Sequence, residues 1–542
     1  MSIFDVRIRD GLARIGVLRV GEEEIRTPAA AETTKLFPSL LCRPLTNLPP
    51  SASLPDVDAY YVPGHEPVAF HPRAACTAVS GEVILISGWH QTLGDARKYA
   101  EYLSAVLAGT PPDTARYAPA CALPSNVAML IATGFDLFDY IAADLASMRG
   151  RFCMPEGEFN ASYMKKGICG CEGCRMGDLL SHNRFALDRE ITLVKTWIEM
   201  GQVRELFEQR CRLHAEQVSL LRHLDRYVFT AAALPVVRSS RFMANSGESL
   251  TRPEIAFFMD RVINRFVPSR NDVCVLLPCA ARKPYSLSKT HQRFQKVIEG
   301  RAHEVIITSP LGVVPRELEL IYPAGHYDVP VIGYWNREES AILAKYVAAY
   351  LTKHRYKRVI CHLEGGAKAV AVAAAEDAGI TLEFSCMDDR PSSPDSLLIL
   401  DNALKDCRKQ RSDPIRGIFA WQFGKLVDTK GWITKGRYPN QKIYEKKQQL
   451  FSIDAATGLL RPTMGGWRFV SGYRVTICGG FVPQGDILVP GVADCDPNIR
   501  EGDEVYVIGP SYAATGRAEM SADEMLRSSR GIAVRVRKTK KD

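Results

Sequence analysis

No apolar run in this chain of 542 residues is long enough to cross a bilayer as a helix, which takes about 20 such residues. Met1-Ser2-Ile3-Phe4-Asp5-Val6-Arg7 at the amino end lacks the charged-then-apolar layout of a secretion signal. A cytoplasmic location with no membrane partner is expected from these two absences. The chain also lacks a G-x-G-x-x-G dinucleotide fingerprint. Gly365-Gly366-Ala367-Lys368 does not have the G-x4-G-K-S/T spacing that cradles phosphates. A radical-SAM C-x3-C-x2-C triplet is missing too, as are internal repeats and low-complexity segments. The motifs of nucleotide-driven and redox chemistry are therefore absent.

What remains is ordinary in bulk and unusual in detail. The chain is 46% hydrophobic and 24% charged, as a globular protein should be. Its length is too great for one core, so three or four domains are expected. The net charge of +8 is compatible with a polyanionic partner and with a solvated basic surface alike. Arg535-Val536-Arg537-Lys538-Thr539-Lys540-Lys541 is a more pointed basic end, suited to phosphate contact.

Four regions follow from the patterning. Residues 1–230 open with strand-like segments, carry helical sequence over 93–107, a strand at Ala128–Ile131, and a helical pair over 185–221. Residues 231–394 alternate strands (Val273–Leu277, Val305–Thr308, Val331–Tyr334, Arg358–His362, Leu382–Ser385) with helical segments, which predicts a mostly parallel sheet covered on both faces. Residues 395–468 read as a small α+β unit, and 469–542, with short strands broken by Gly and Pro, as a small β barrel. The fold class is multidomain α/β.

Two clusters carry chemistry. Reduced cysteines in a cytoplasmic protein point to metal binding or catalysis when they cluster. Cys169-Gly170-Cys171-Glu172-Gly173-Cys174 supplies three thiolates, and His182 a fourth ligand, with His214 as the other candidate. Such a set closes a tetrahedral zinc site with no open position, so the metal is expected to be structural. Gly167, Gly170 and Gly173 let the backbone curl round it. The second cluster follows the apolar Val273–Leu277 run: Pro278-Cys279-Ala280-Ala281-Arg282-Lys283-Pro284-Tyr285-Ser286-Leu287-Ser288-Lys289-Thr290-His291. A thiol, an ammonium, a phenol, hydroxyls and an imidazole gather just past a strand end, where ligands bind in open α/β sheets.

Three resemblances follow from these residues. The first region, with Arg9-Asp10-Gly11-Leu12-Ala13-Arg14-Ile15-Gly16, the cysteine cluster and His182-Asn183, resembles tRNA-guanine transglycosylases. That implies a degenerate TIM-barrel-like domain with zinc beside it, and matches Asp139 to the family's nucleophilic aspartate. The residues after Asp139, Tyr140-Ile141-Ala142-Ala143-Asp144, depart from the family's Pro-Thr-Arg pattern. The last region, from Phe481-Val482-Pro483-Gln484-Gly485-Asp486 to Arg530-Gly531-Ile532-Ala533-Val534, resembles the PUA domain, an RNA-binding module. The P-C-x3-K-P-Y-x2-S-x2-H motif, together with Ser309–Glu319 and Tyr322–Pro330, is similar to archaeosine synthases.

This last resemblance implies a substrate, tRNA carrying 7-cyano-7-deazaguanine at position fifteen, and an amine that adds to its nitrile. The amine is the side chain of free lysine, in a family formerly described as using glutamine nitrogen, and a radical-SAM partner protein completes the route. Cys279, Lys283, Tyr285, Ser288 and His291 are the catalytic candidates. Cys279 would attack the nitrile or merely line the pocket, and His291 or Tyr285 would move protons. Glu317, Glu319 and Asp328 are candidates to hold the lysine ammonium. The alternative is an active transglycosylase that inserts the base through Asp139. Oligomeric state is left open, with a homodimer as one option.

Overall fold

The computed structural model describes residues 2–42, 66–71, 79–88, 92, 94–229, 234–330, 333–386, 390–410, 413–479 and 485–541. The chain forms two compact units, the first of residues 1–235, 487–493 and 520–533, the second of 236–486, 494–519 and 534–542.

The first unit begins with an antiparallel sheet of Ser2–Asp10, Ala13–Val20 and Glu23–Thr27. A five-stranded parallel sheet follows, in the order Ala29–Ala30, Leu137–Phe138, Ala115–Ala118, Val83–Ile86, Val68–Phe70. Successive strands lie side by side and the last pairs with the first. That is the wall of a barrel with one seam unpaired among the described residues, a degenerate form of the closed TIM barrel. Helices Ala96–Gly109, Leu179–Glu199, Val203–Cys211 and Ala215–Tyr227 pack on it through a large apolar core.

Two expectations are corrected here. Ala128–Ile131 is helical, within Val127–Ala132, and each of those six residues is buried. A short apolar run buried on all sides has no periodicity to tell helix from strand. The 185–221 pair is three helices: Gly201, with φ of 66°, ends the first, and a turn at 212–214 divides the rest.

The second unit centres on a five-stranded sheet, in the order Gly312–Pro315, His303–Thr308, Val273–Pro278, Arg358–Cys361, Leu382–Phe384. All neighbours are parallel except the antiparallel edge pair of Gly312–Pro315 with His303–Thr308. The central strand, Val273–Pro278, is buried along its first five residues, as a strand covered on both faces must be. Val273, Val275 and Leu277 pack on Phe294 and Ile298 of helix Lys289–Ile298 and on Leu400 of helix Pro394–Ala403. Cys274 points the other way, towards Tyr350 of helix Arg337–His354, against which helix Gly365–Ala378 also packs. The connections leaving Val273–Pro278 and Arg358–Cys361 thus run over opposite faces. Their carboxyl ends flank a topological switch point, the crevice where such sheets bind ligands. The strand expected at Val331–Tyr334 is not formed at 333–334, and 331–332 lie outside the described residues.

Beyond this sheet come helix Pro414–Phe423 and a four-stranded antiparallel sheet from Trp432–Lys435 to Leu460–Pro462. The carboxyl-terminal sheet has six short strands in the order Ile487–Leu488, Ile532–Lys541, Tyr512–Ala518, Glu504–Ile508, Arg474–Ile477, Val492–Cys495, a barrel-like arrangement of mixed pairing. The Phe481–Gln484 part of its sequence pattern lies outside the described residues.

Candidate active site and metal centre

Pro278 ends the central strand, and Cys279 is the first residue past it, exposed at the carboxyl edge of the sheet. Lys283 is half-buried, with its Nζ 3.8 Å above the centre of the Tyr327 ring. Burial lowers the Lys283 pKa; the Cys279 thiol and the Asp328 carboxylate oppose that shift and Arg241 adds to it. Cys279 also bears on the charge of Tyr285 and Tyr327. These phenols are fully buried and hydrogen-bonded to each other, and Tyr327 bonds in turn to the Thr308 hydroxyl. Burial pushes both phenols well above their ordinary range, so they stay protonated at neutral pH.

The rest of the motif turns inward. Ser288 is buried at the N-cap of helix Lys289–Ile298 but makes no side-chain cap bond. His291 is wholly buried. Arg316 Nη2 donates to its Nδ1 at 2.8 Å. Desolvation, then the neighbouring guanidinium, push the His291 pKa down to about 3. Glu319 is also buried, and its Oε2 accepts from the Ser286 amide at 3.0 Å and from Arg316 Nη1 at 2.9 Å. Glu317 faces His303 at 3.0 Å, both buried. Asp328 is half-exposed and 3.3 Å from Arg241. A parallel pairing of Phe242–Met243 with Tyr327–Asp328 brings Arg241 and Asp328 to the site.

The fold therefore gathers Cys279, Lys283, Tyr285 and Asp328 at one edge. It places Ser288, His291 and Glu319 in the packed support behind them, and Glu317 beside His303 at the opposite, amino end of the sheet. Tyr327, Thr308, Arg316 and Arg241 belong to the arrangement, and sequence reasoning did not name them as site residues. Arg316 and Tyr327 lie inside the Ser309–Glu319 and Tyr322–Pro330 stretches, whose polar residues beside Pro and Gly were the available signal.

The metal-type centre stands in the first unit. The ligand atoms of Cys169, Cys171, Cys174 and His182 all lie within 4.8 Å of one another. His182 Nδ1 is 3.4 Å from Cys171 Sγ and 3.2 Å from Cys174 Sγ. Its Nε2 lies 3.1 Å from the Cys153 carbonyl, so the ring proton sits there and Nδ1 offers its lone pair. The ring stacks on Phe152 at 4.0 Å. Asn183 holds the same loop, accepting from the Cys153 amide at 2.9 Å and donating to the Arg151 carbonyl at 2.9 Å. His214 stands outside this group, at the N-cap of helix Ala215–Tyr227. Of the three glycines, Gly173 is required by packing, since a Cβ there would lie 2.5 Å from the His182 backbone nitrogen. Gly167 has a φ of +70°, while a Cβ on Gly170 would meet open space. Three thiolates and one imidazole form a donor set that fits a tetrahedral metal ion.

Asp139 is buried at the end of strand Leu137–Phe138. Its carboxylate accepts from the Tyr117 hydroxyl at 2.6 Å, the Ala120 amide at 2.9 Å and the Ile141 amide at 3.0 Å. Both oxygens are thus held by the protein itself.

Comparison with known proteins agrees with this architecture. Residues 255–404 match a family model described as a domain of unknown function, DUF5591, and residues 480–539 match the PUA domain. The chain is 34% identical to a Methanosarcina acetivorans protein named archaeosine synthase subunit alpha, over 99% of each. It is 34% identical to the archaeosine synthase of Haloferax volcanii, over 98% of each. It is 25% identical to the tRNA-guanine(15) transglycosylase of Methanothermobacter thermautotrophicus, over 82% of this chain and 70% of that one. Fold and site define a multidomain α/β protein closed by a PUA domain. Within that class, the chain belongs to the archaeosine synthase family.

Proposed function

We propose that the protein acts in archaeosine biosynthesis, adding the side-chain amine of free lysine to the nitrile of 7-cyano-7-deazaguanine at position fifteen of tRNA. The observation that carries this reading is the gathering of Cys279, Lys283 and Asp328 at the switch point of the central sheet, in a chain of this family. The Cys279 thiol adds to the nitrile carbon, and its proton passes by way of Lys283 to the nitrile nitrogen, giving a thioimidate. The lysine amine then forms a C–N bond to the same carbon, the C–S bond breaks, and the thiol regains a proton, leaving an amidine.

Lys283 suits the proton work because burial lowers its pKa, which makes the neutral amine accessible. His291 and Tyr285 do not, since neither changes charge near neutral pH. Asp328 is the carboxylate best placed for the donor's ammonium, because it is half-exposed at this edge, whereas Glu317 is buried against His303 and Glu319 against Arg316. The PUA domain would hold the tRNA body. Cys169, Cys171, Cys174 and His182 would hold zinc, whose closed shell braces the first unit.

Base exchange through Asp139 is disfavoured, because its carboxylate already accepts three protein hydrogen bonds. The test is to incubate the protein with nitrile-bearing tRNA and lysine, digest to nucleosides and weigh them. A lysine adduct supports the reading. Intact nitrile, with a substrate that a known active enzyme converts, overturns it.

A further inference from the structure

The Cys279–His291 motif ends on an imidazole that does not behave as a proton shuttle. His291 is wholly buried. Tyr285 covers it at a ring distance of 5.2 Å and Phe294 at 5.4 Å, both uncharged. Among the described residues, the charged group that touches it is Arg316, from the turn Arg316–Leu318. A guanidinium can only donate. The ring nitrogen it faces, Nδ1, must accept, so the ring proton is on Nε2. That N–H is buried without a close hydrogen bond, and the Pro278 carbonyl, one residue before Cys279, is the acceptor that bears on the ring.

Arg316 is itself fixed. Its Nε and Nη2 donate to Glu304 at 3.0 and 2.7 Å, and its Nη1 to Glu319 at 2.9 Å. Glu319 in turn takes the Ser286 amide. One guanidinium therefore ties the turn after Cys279, through Glu319 and Ser286, to the helix that carries His291. We propose that Arg316 is a positioning residue that locks His291 in the Nε2–H tautomer and, through Glu319 and the Ser286 amide, holds the turn that follows Cys279. As a statement about the proposed reaction this rests on the function given above; as a statement about His291 it does not.

The test is imidazole 15N NMR on histidine-labelled full-length protein, with His291→Gln identifying the His291 signals by difference. The expected result is a protonated Nε2 and an unprotonated Nδ1, unchanged between about pH 5 and 8. Arg316→Lys, still a donor, keeps that tautomer. Arg316→Met loses it. An Nδ1–H ring in the wild type, or a wild-type His291 that titrates in that window, overturns the proposal; both are read on the wild-type protein, with His291→Gln used to assign the signals. A folded Arg316→Met protein with the wild-type pattern also overturns it. In the lysine-adduct assay Arg316→Met should lower kcat by about 100-fold, the scale of a small misplacement of a reacting group. If no enzyme form makes adduct while the tautomer is as stated, the reaction is wrong and the role of Arg316 at His291 stands.

Discussion

Gly173→Ala is a small change with a calculable consequence. The added methyl would sit 2.5 Å from the His182 nitrogen, 2.8 Å from the Asp178 carbonyl oxygen and 3.0 Å from the His182 Cα. Ordinary contact begins at 3.4 Å, so the backbone of His182 must retreat by about 0.9 Å, or 3.4 less 2.5. The obstacles are backbone atoms, which cannot rotate aside. Metal–ligand distances tolerate only about 0.2 Å, so the imidazole cannot follow the thiolates. The variant should bind zinc at least about 10-fold more weakly, and overpacking should cost a further 1–3 kcal/mol or so of stability. Competition with a chromophoric chelator measures the first effect and denaturant unfolding of the metal-loaded protein the second. Gly170→Ala, in open space, is the control. Wild-type zinc affinity in Gly173→Ala would refute the argument that His182 is a ligand held in place by that close approach.

Lys283→Arg keeps the charge but cannot give up its proton, and should lower adduct formation by about 10²–10⁴-fold with tRNA binding unchanged. In the wild type the rate should climb with pH as Lys283, shifted below the ordinary 10.5, loses its proton; a flat profile would contradict that role. Asp139→Asn should cost about 1–3 kcal/mol, because one oxygen that accepts buried donors is lost, while the adduct yield of the folded variant stays at the wild-type level. In the basic end, Arg535 and Arg537 are already paired with Glu519 and Glu504. Lys538→Ala and Lys540→Ala should therefore weaken tRNA binding more than Arg537→Ala, each reducing the salt dependence by about one unit.

The strand Val273–Pro278 and the loop after it were legible because five buried apolar residues lead straight into a cluster of reactive groups. The cysteine spacing disclosed the cluster of three thiols and an imidazole for a similar reason: a chelating set is local, so its signature is local. The PUA pattern was legible in its glycine-punctuated strands. Other features depend on residues far apart in the chain. His291 looked like an acid–base group by its type alone, and only its burial against Arg316, 25 residues on, makes it a fixed acceptor. Tyr327 reaches Lys283 because a two-residue strand pairs with Phe242–Met243, too short to announce itself. Glu317 and Asp328 could not be told apart in sequence, yet one lies buried against His303 and the other stands near Lys283.

In the proposed reaction Cys279 and Lys283 convert a nitrile to an amidine. Its most direct test is mass spectrometry of nucleosides from nitrile-bearing tRNA incubated with isotopically labelled lysine and either wild-type protein or Cys279→Ala. A labelled lysine adduct of the deazaguanine nucleoside should form with the wild type and be lost with Cys279→Ala. Full adduct formation by Cys279→Ala, or an unchanged nitrile nucleoside with the wild type, would overturn it.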